Sequence, residues 1–406
     1  MGYEPAHRQL SADGTELLVT LPNCGTAAGS PLVLSLRRDD PAARRFQVPR
    51  VTRDGGRDLE YSYSIPVAGN DWPVASLGDE HIDRTTIYRM VASILRQQSA
   101  PPFNRTDSVL IARNGRLVLE EYFWGYGPIN IPHAISSDTK SLTSLIVGIA
   151  VDRRKLRLQD RIGPYFPEYA KSEWIRNDYP IAIRDMLSMQ ANLQWNEDVP
   201  YQDARNTAIG LVLAKDPIEF VLSRPLAGPP GVKFQYNSGL PNLLGDFVTR
   251  AVGRPIEDFA DEFLFSRLGI KNYRWTRLAN GHAMASGGMV MLPRDMAKIG
   301  QLMLNGGMWK GQRIVSRAWV DASTTQQTGP DDYAYGFYWH LCNERQWQLR
   351  GHLGFMAGGQ AGQFIVVVPA LSLVVVVTSS NWQPGGTKIA FDEIVGKFVM
   401  PAVHTK

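Results

Sequence analysis

Ser137-Asp138-Thr139-Lys140 sets a hydroxyl and an amine three residues apart. On a helix, side chains at i and i+3 share a face, so the two groups come within hydrogen-bond reach. A serine hydroxyl is a weak nucleophile until a base takes its proton. Lysine is such a base only where burial or a nearby cation brings its pKa toward neutrality. The spacing alone is a weak signal, since S-x-x-K arises by chance on the order of once in a chain of this length. Its position strengthens it: the motif opens the apolar run Leu142, Leu145, Ile146, Ile149, Ala150, directly after a hairpin. That run predicts a buried helix starting near Ser137 or Asp138. Such a start offers free backbone N–H groups and the positive end of the helix dipole, both of which favour an oxyanion.

Two further stretches carry candidate chemistry. Phe234-Gln-Tyr236-Asn-Ser238 lies between the rigid turn Gly228-Pro-Pro-Gly231 and an apolar helix starting around Leu240. Tyr236 reads either as core or, with its phenol beside Lys140, as a proton relay to the leaving group. Gly358-Gly-Gln360-Ala-Gly362-Gln363 leads into the apolar run Phe364–Pro369. This is either a tight turn or a strand mouth where missing side chains let a ligand approach the backbone. Competing machinery is missing from the sequence. There is no G-x-S-x-G elbow and no H-E-x-x-H, and the seven histidines are dispersed without metal-ligand spacing. His133, close to the nucleophile, reads as structural.

The elements that must position these groups follow from periodicity. Residues 1–70 form a β-rich appendage, with strand-like runs at 16–21, 31–36 and 59–65 between Gly-, Pro-, Asp- and Arg-rich turns. A helix over 83–98 precedes a hairpin whose Asn114-Gly115 suits a type I′ turn. Helices are expected at 182–189, 205–222, 240–252, 255–267 and 386–400, and strands at 347–350, 363–368 and 373–378. Strands near both ends with a helical insert between them imply one α/β (α+β) domain over 71–406. In it an antiparallel sheet flanked by helices (71–135 and 290–406) faces an all-helical lobe (136–289), with the cleft between them.

Composition narrows the partners. At 406 residues, 44% hydrophobic and 20% charged, the chain reads as an ordinary globular enzyme. The net charge of +4 comes from scattered Lys and Arg in short pairs, which excludes a nucleic-acid stripe. No apolar run is long enough to span a membrane. The N-terminus lacks the apolar segment of a secretory signal, so the cytoplasm is the expected compartment unless a leader has been removed. Cys24 and Cys342 form no disulfide framework and read as independent thiols. No cofactor or metal is expected.

Taken together, the three motifs resemble the serine hydrolases of the class C β-lactamase fold, and within them the 6-aminohexanoate-dimer hydrolases and family VIII carboxylesterases. The resemblance runs from about Trp72 to the C-terminus. It includes Ile181-Ala-Ile-Arg-Asp-Met-Leu-Ser-Met and Ala285-Ser-Gly-Gly-Met-Val-Met-Leu-Pro-Arg-Asp-Met-Ala-Lys-Ile-Gly. It implies Ser137 as nucleophile, Lys140 and Tyr236 as general base and acid, and the backbone N–H groups of Ser137 and Gln360 as oxyanion hole. It also implies substrate contacts at Tyr201, Asn237, His352 and Gly359. The chain departs from the β-lactamase pattern in two places. No K-T-G or K-S-G triplet occurs, the nearest stretch being His352-Leu-Gly354, and the tyrosine motif reads Tyr-Asn-Ser rather than Tyr-x-Asn. Both departures point to small ester or amide substrates. A β-lactamase or D-Ala-D-Ala-type peptidase is the alternative, and a non-catalytic binding protein of the same fold a further one.

Overall fold

Asn114 and Gly115 adopt φ of 51° and 76°, as a type I′ turn requires, and join strand Thr106–Arg113 to Arg116–Tyr122. This hairpin is one edge of a six-stranded antiparallel sheet in a computed structural model. The model describes residues 7–10, 16–21, 32–37, 61–68, 72–96, 105–123, 131–176, 179–201, 203–329 and 333–404. Across the sheet the order is His340–Cys342, Gly354–Gly359, Gln363–Val368, Leu373–Ser379, Thr106–Arg113, Arg116–Tyr122. The two apolar runs Gln363–Val368 and Leu373–Ser379 are buried along their whole length and sit in the middle, where both sheet faces are covered. Burying each Val there contributes about 1.5–3 kcal/mol. Helix Pro293–Leu304 packs on them, and Gly300 permits the contact: a Cβ there would lie 2.5 Å from Val374 and 2.9 Å from Ile365.

The chain divides into two compact units, residues 1–61 with 124–131, and residues 62–123 with 132–406. The first contains a three-stranded antiparallel sheet, His7–Leu10, Glu16–Leu21 and Leu32–Arg37. In the second, a small sheet of His133–Ala134, Met289–Met291 and Tyr273–Trp275 lies beside the segment that leads into Ser137. Among the described residues no helix is long and apolar enough to cross a membrane. Cys342 is a buried free thiol, while Cys24 lies outside the described residues.

Several expected elements change. The strand expected at 59–65 is not formed over 61–65, and residues 59 and 60 lie outside the described residues. The strand expected at 347–350 is a turn, because Trp347 and Arg350 take φ of 49° and 51° and only a Leu349–His352 bridge forms. The helix expected over 205–222 is two, Thr207–Leu213 and Pro217–Leu222. The chain restarts at Asp216, whose carboxylate accepts from the Ile218 and Glu219 N–H groups while Pro217 takes the first helical position. The 255–267 helix is α only over Ile256–Ala260, continuing through a π turn and a 3₁₀ turn to Leu268.

Candidate active site

Helix Asp138–Asp152 carries the motif, and its residues from Asp138 to Ala150 are all buried. Its entry is sharply bent: Ser136 sits at φ 48°, a left-handed conformation that a non-glycine residue adopts only under external constraint. The constraint is visible. Ser136 O accepts from Thr139 N at 3.1 Å and Thr139 Oγ1 at 2.7 Å, and Thr139 Oγ1 in turn accepts from Met289 N at 3.2 Å. Thr143 Oγ1 donates to Ala285 O at 2.8 Å. The bend therefore leaves Ser137 at the helix start, with no capping bond from its hydroxyl.

That hydroxyl receives the amine. Lys140 Nζ donates to Ser137 Oγ at 2.9 Å and to Ser286 O at 2.7 Å. Ser286 is held in turn by Asn242, which accepts from Ser286 N at 3.0 Å and donates to Ser286 Oγ at 3.1 Å. The lysine is 2% exposed, and burial lowers its pKa from 10.5 to about 8 against the opposing charges of Glu197 and Asp138. At that value a substantial fraction of neutral amine exists near neutral pH, as a general base requires.

Tyr236 completes the trio. The Ser137 side chain acts on its phenol, lowering the phenol pKa, and Lys140 Nζ lies 5.0 Å from its ring centroid. Burial, followed by the charge of Glu197, pushes the phenol above its ordinary pKa. It is thus held as a neutral proton donor. The structure brings Ser137, Lys140 and Tyr236 together.

The remaining expected residues divide. Gly359 ends strand Gly354–Gly359 against the nucleophile segment, where a Cβ would lie 2.5 Å from Ile135 O and 3.1 Å from Asp138 Oδ1. The close backbone approach is real, but it is to the protein's own chain. Gln360 follows in the hairpin turn, its carbonyl accepting from Gln363 Nε2 at 3.2 Å. Tyr201 is 43% exposed as a residue, while burial of its phenol, followed by the Glu197 charge, pushes its pKa up. Asn237 is buried, and its side-chain oxygen accepts from Gly239 N at 2.8 Å and Leu240 N at 3.3 Å at the start of helix Gly239–Val252. His352 lies ahead of strand Gly354–Gly359, in a bridge with Leu349. The histidine that feels the Lys140 charge is His340, on the edge strand. His133 is structural, its Nε2 3.0 Å from the buried Asp107 carboxylate.

Sequence reasoning passed over Glu197, Asp138 and His340. Glu197 Oε1 accepts from Trp195 Nε1 at 2.6 Å and Ser238 N at 2.5 Å, and Oε2 from Ser238 Oγ at 2.8 Å. It thereby ties the loop bearing Tyr201 to the segment just after Tyr236, and its charge raises the proton affinity of both Lys140 and Tyr236. Glu197→Gln is expected to move the acid limb of kcat/KM to lower pH, with the plateau within about tenfold of wild type. A limb unmoved in a pH-rate profile would separate Glu197 from the lysine. Asp138 is fully buried with both carboxyl oxygens unpartnered, and burial pushes it well above the usual carboxylate range. No periodicity marks any of the three, because each matters through tertiary neighbours distant in sequence.

A family model described as Beta-lactamase matches residues 93–394. The 6-aminohexanoate-dimer hydrolase of Paenarthrobacter ureafaciens is 28% identical over 298 residues, covering 70% of this chain and 74% of that protein. Among solved structures, EstCE1, a hydrolase with promiscuous acyltransferase activity, is similar with a TM-score of 0.63 and 18% identity, covering 79% of this chain and 99% of that one. A family VIII carboxylesterase is similar with a TM-score of 0.58 and 16% identity, covering 78% and 97%.

Proposed function

The chain belongs to the Beta-lactamase family of serine hydrolases, and from that premise we propose that it cleaves small esters or amides through an acyl-enzyme on Ser137, with residues 71–406 as the hydrolase domain. The observation that supports this most is the buried Lys140 amine 2.9 Å from Ser137 Oγ, with the Tyr236 ring 5.0 Å from the same amine. A hydroxyl with a base and an acid beside it is what acyl transfer needs.

In the first step Ser137 Oγ bonds to the carbonyl carbon while its proton passes to the neutral Lys140 amine. The N–H groups of Asp138, Thr139 and Lys140 are taken up by the carbonyls of Ile135, Ser136 and Ser137, which makes the Ser137 N–H the helix-start candidate for holding the oxyanion. Gln360, in the turn after the adjoining strand, is the proposed second donor. As the tetrahedral species collapses, the bond to the leaving alcohol or amine breaks and Tyr236 protonates it. The phenolate then recovers a proton from the Lys140 ammonium. Water attacks the acyl-enzyme by the same exchange, releasing the acid. Tyr201, half-exposed beside Tyr236, is the proposed substrate contact.

The test is intact mass after exposure to a fluorophosphonate. A single adduct on wild type that vanishes in Ser137→Ala is the expected result. An adduct that survives the substitution, or none on wild type, would overturn the assignment.

A further inference from the structure

Asp138 follows the nucleophile directly and is fully buried, at 0% exposure. Neither of its carboxyl oxygens has a hydrogen-bond partner among the described residues. One of them packs on the strand end, since a Cβ on Gly359 would lie 3.1 Å from Asp138 Oδ1. The carboxyl thus stands where the helix that carries Lys140 meets the strand running into Gln360. It is adjacent in sequence to Ser137 and in contact with the neighbour of Gln360, the two proposed oxyanion donors. Lys140 is the cation that acts on it, but residues two apart on a helix do not face each other, and no bond joins the two. The elements packed on this helix bring no counter-charge. Strands Gly354–Gly359 and Gln363–Val368 carry no titratable side chain. On helix Gly239–Val252, Asp246 and Arg250 pair with each other at 3.3 Å, and Asp246 also with His282 at 2.7 Å. His133, on the strand before the nucleophile, is 3.0 Å from Asp107. Burial keeps the phenols of Tyr236 and Tyr338 neutral, and Glu197 is bonded to Trp195 and Ser238. A carboxylate buried without a donor or an adjacent cation is far costlier than the neutral acid, so the group holds its proton.

We propose that Asp138 works as an uncharged carboxylic acid beside the oxyanion site, and that its ionisation shuts the hydrolase down at alkaline pH. This deepens the hydrolase reading above and rests on it. The step is the loss of one proton from Asp138 to hydroxide, which forms water. The carboxylate that remains opposes the negative charge growing on the substrate oxygen. It also favours the ammonium form of Lys140, which fills the base. The neutral acid does neither, so attack proceeds while Asp138 keeps its proton.

The test compares the full chain with Asp138→Asn, which is close in shape and cannot ionise, on p-nitrophenyl acetate across pH. Ser137→Ala serves as the blank for hydrolysis by hydroxide. Beyond the plateau set by Lys140, wild-type kcat/KM is expected to fall about tenfold per pH unit. Asp138→Asn is expected to lack that limb and so to overtake wild type at the alkaline end. The smaller, equally uncharged Asp138→Ser repeats the comparison with no amide to accommodate. An alkaline limb shared by all three, or none in wild type, would overturn the proposal. Two readouts do not depend on turnover. The infrared difference between wild type and Asp138→Asn at about pH 7 should show the C=O band of a protonated carboxyl, and carboxylate bands in its place would overturn the proposal. The Tm difference carries the same information. An acid whose pKa rises on folding binds its proton more tightly in the native state, so wild-type stability declines as pH climbs above the ordinary value of 3.8. The Tm of Asp138→Asn relative to wild type should therefore rise steadily from about pH 4 to about pH 9, and a constant difference would overturn the assignment. Failure of the hydrolase reading shows separately, as a wild type that takes no fluorophosphonate on Ser137.

Discussion

Lys140→Met is expected to lower kcat by about 10⁴-fold, the upper end of what a positioned general base contributes. Methionine fills much of the buried volume and leaves Ser137 in place, so the loss measures the missing base rather than a cavity. The fold is not expected to weaken. A lysine whose pKa is lowered from 10.5 to about 8 on folding binds its proton less readily in the native state than in the unfolded chain, which penalises the fold at neutral pH. Methionine carries no such penalty, so the Tm at pH 7 should hold or rise. The same pKa fixes the pH profile of the wild type. The ammonium has no vacancy for the serine proton, so kcat/KM should climb with pH through about 8 and level off above it. A variant within tenfold of wild type, or an acid limb unchanged by the substitution, would remove Lys140 from the role of base.

The chemistry of this chain is legible in its sequence where it is local, and hidden where it is not. Ser137 and Lys140 declare themselves because one helical turn suffices to bring them together. The hairpin at Asn114-Gly115 and the two central strands are legible for the same reason: turn chemistry and continuous β-branched runs act within a few residues. Strand Gly354–Gly359 escapes because three of its six residues are glycine, poor strand formers on local preference, and its pairing is supplied by neighbours. Helix Arg317–Ser323, capped by Ser316, is too short for its period to stand out. The aromatics at 333–339 could not be sorted by pattern. The structure buries Tyr335, Phe337, Tyr338 and Trp339 in the core and leaves Tyr333 to bridge Trp347 and His340.

Tyr236→Phe is the second large loss expected, about 10²–10⁴-fold in kcat. The ring remains, so its contact with Lys140 persists and only the phenolic proton disappears. Because burial and Glu197 hold that proton on the phenol, the proposed mechanism assigns Tyr236 to the collapse step rather than to attack. The size of the loss should therefore follow the leaving group. An amide, whose nitrogen must be protonated before it departs, should fall toward the upper end. A p-nitrophenyl ester, whose phenolate leaves unaided, should fall far less. Lys140→Met should instead depress both substrates alike, because both need the serine deprotonated. Parallel kcat measurements on an amide and an activated ester of the same acid separate the two roles. Equal losses on the two substrates in Tyr236→Phe would place the phenol in attack beside the lysine, and an unimpaired amide turnover would take it out of the mechanism.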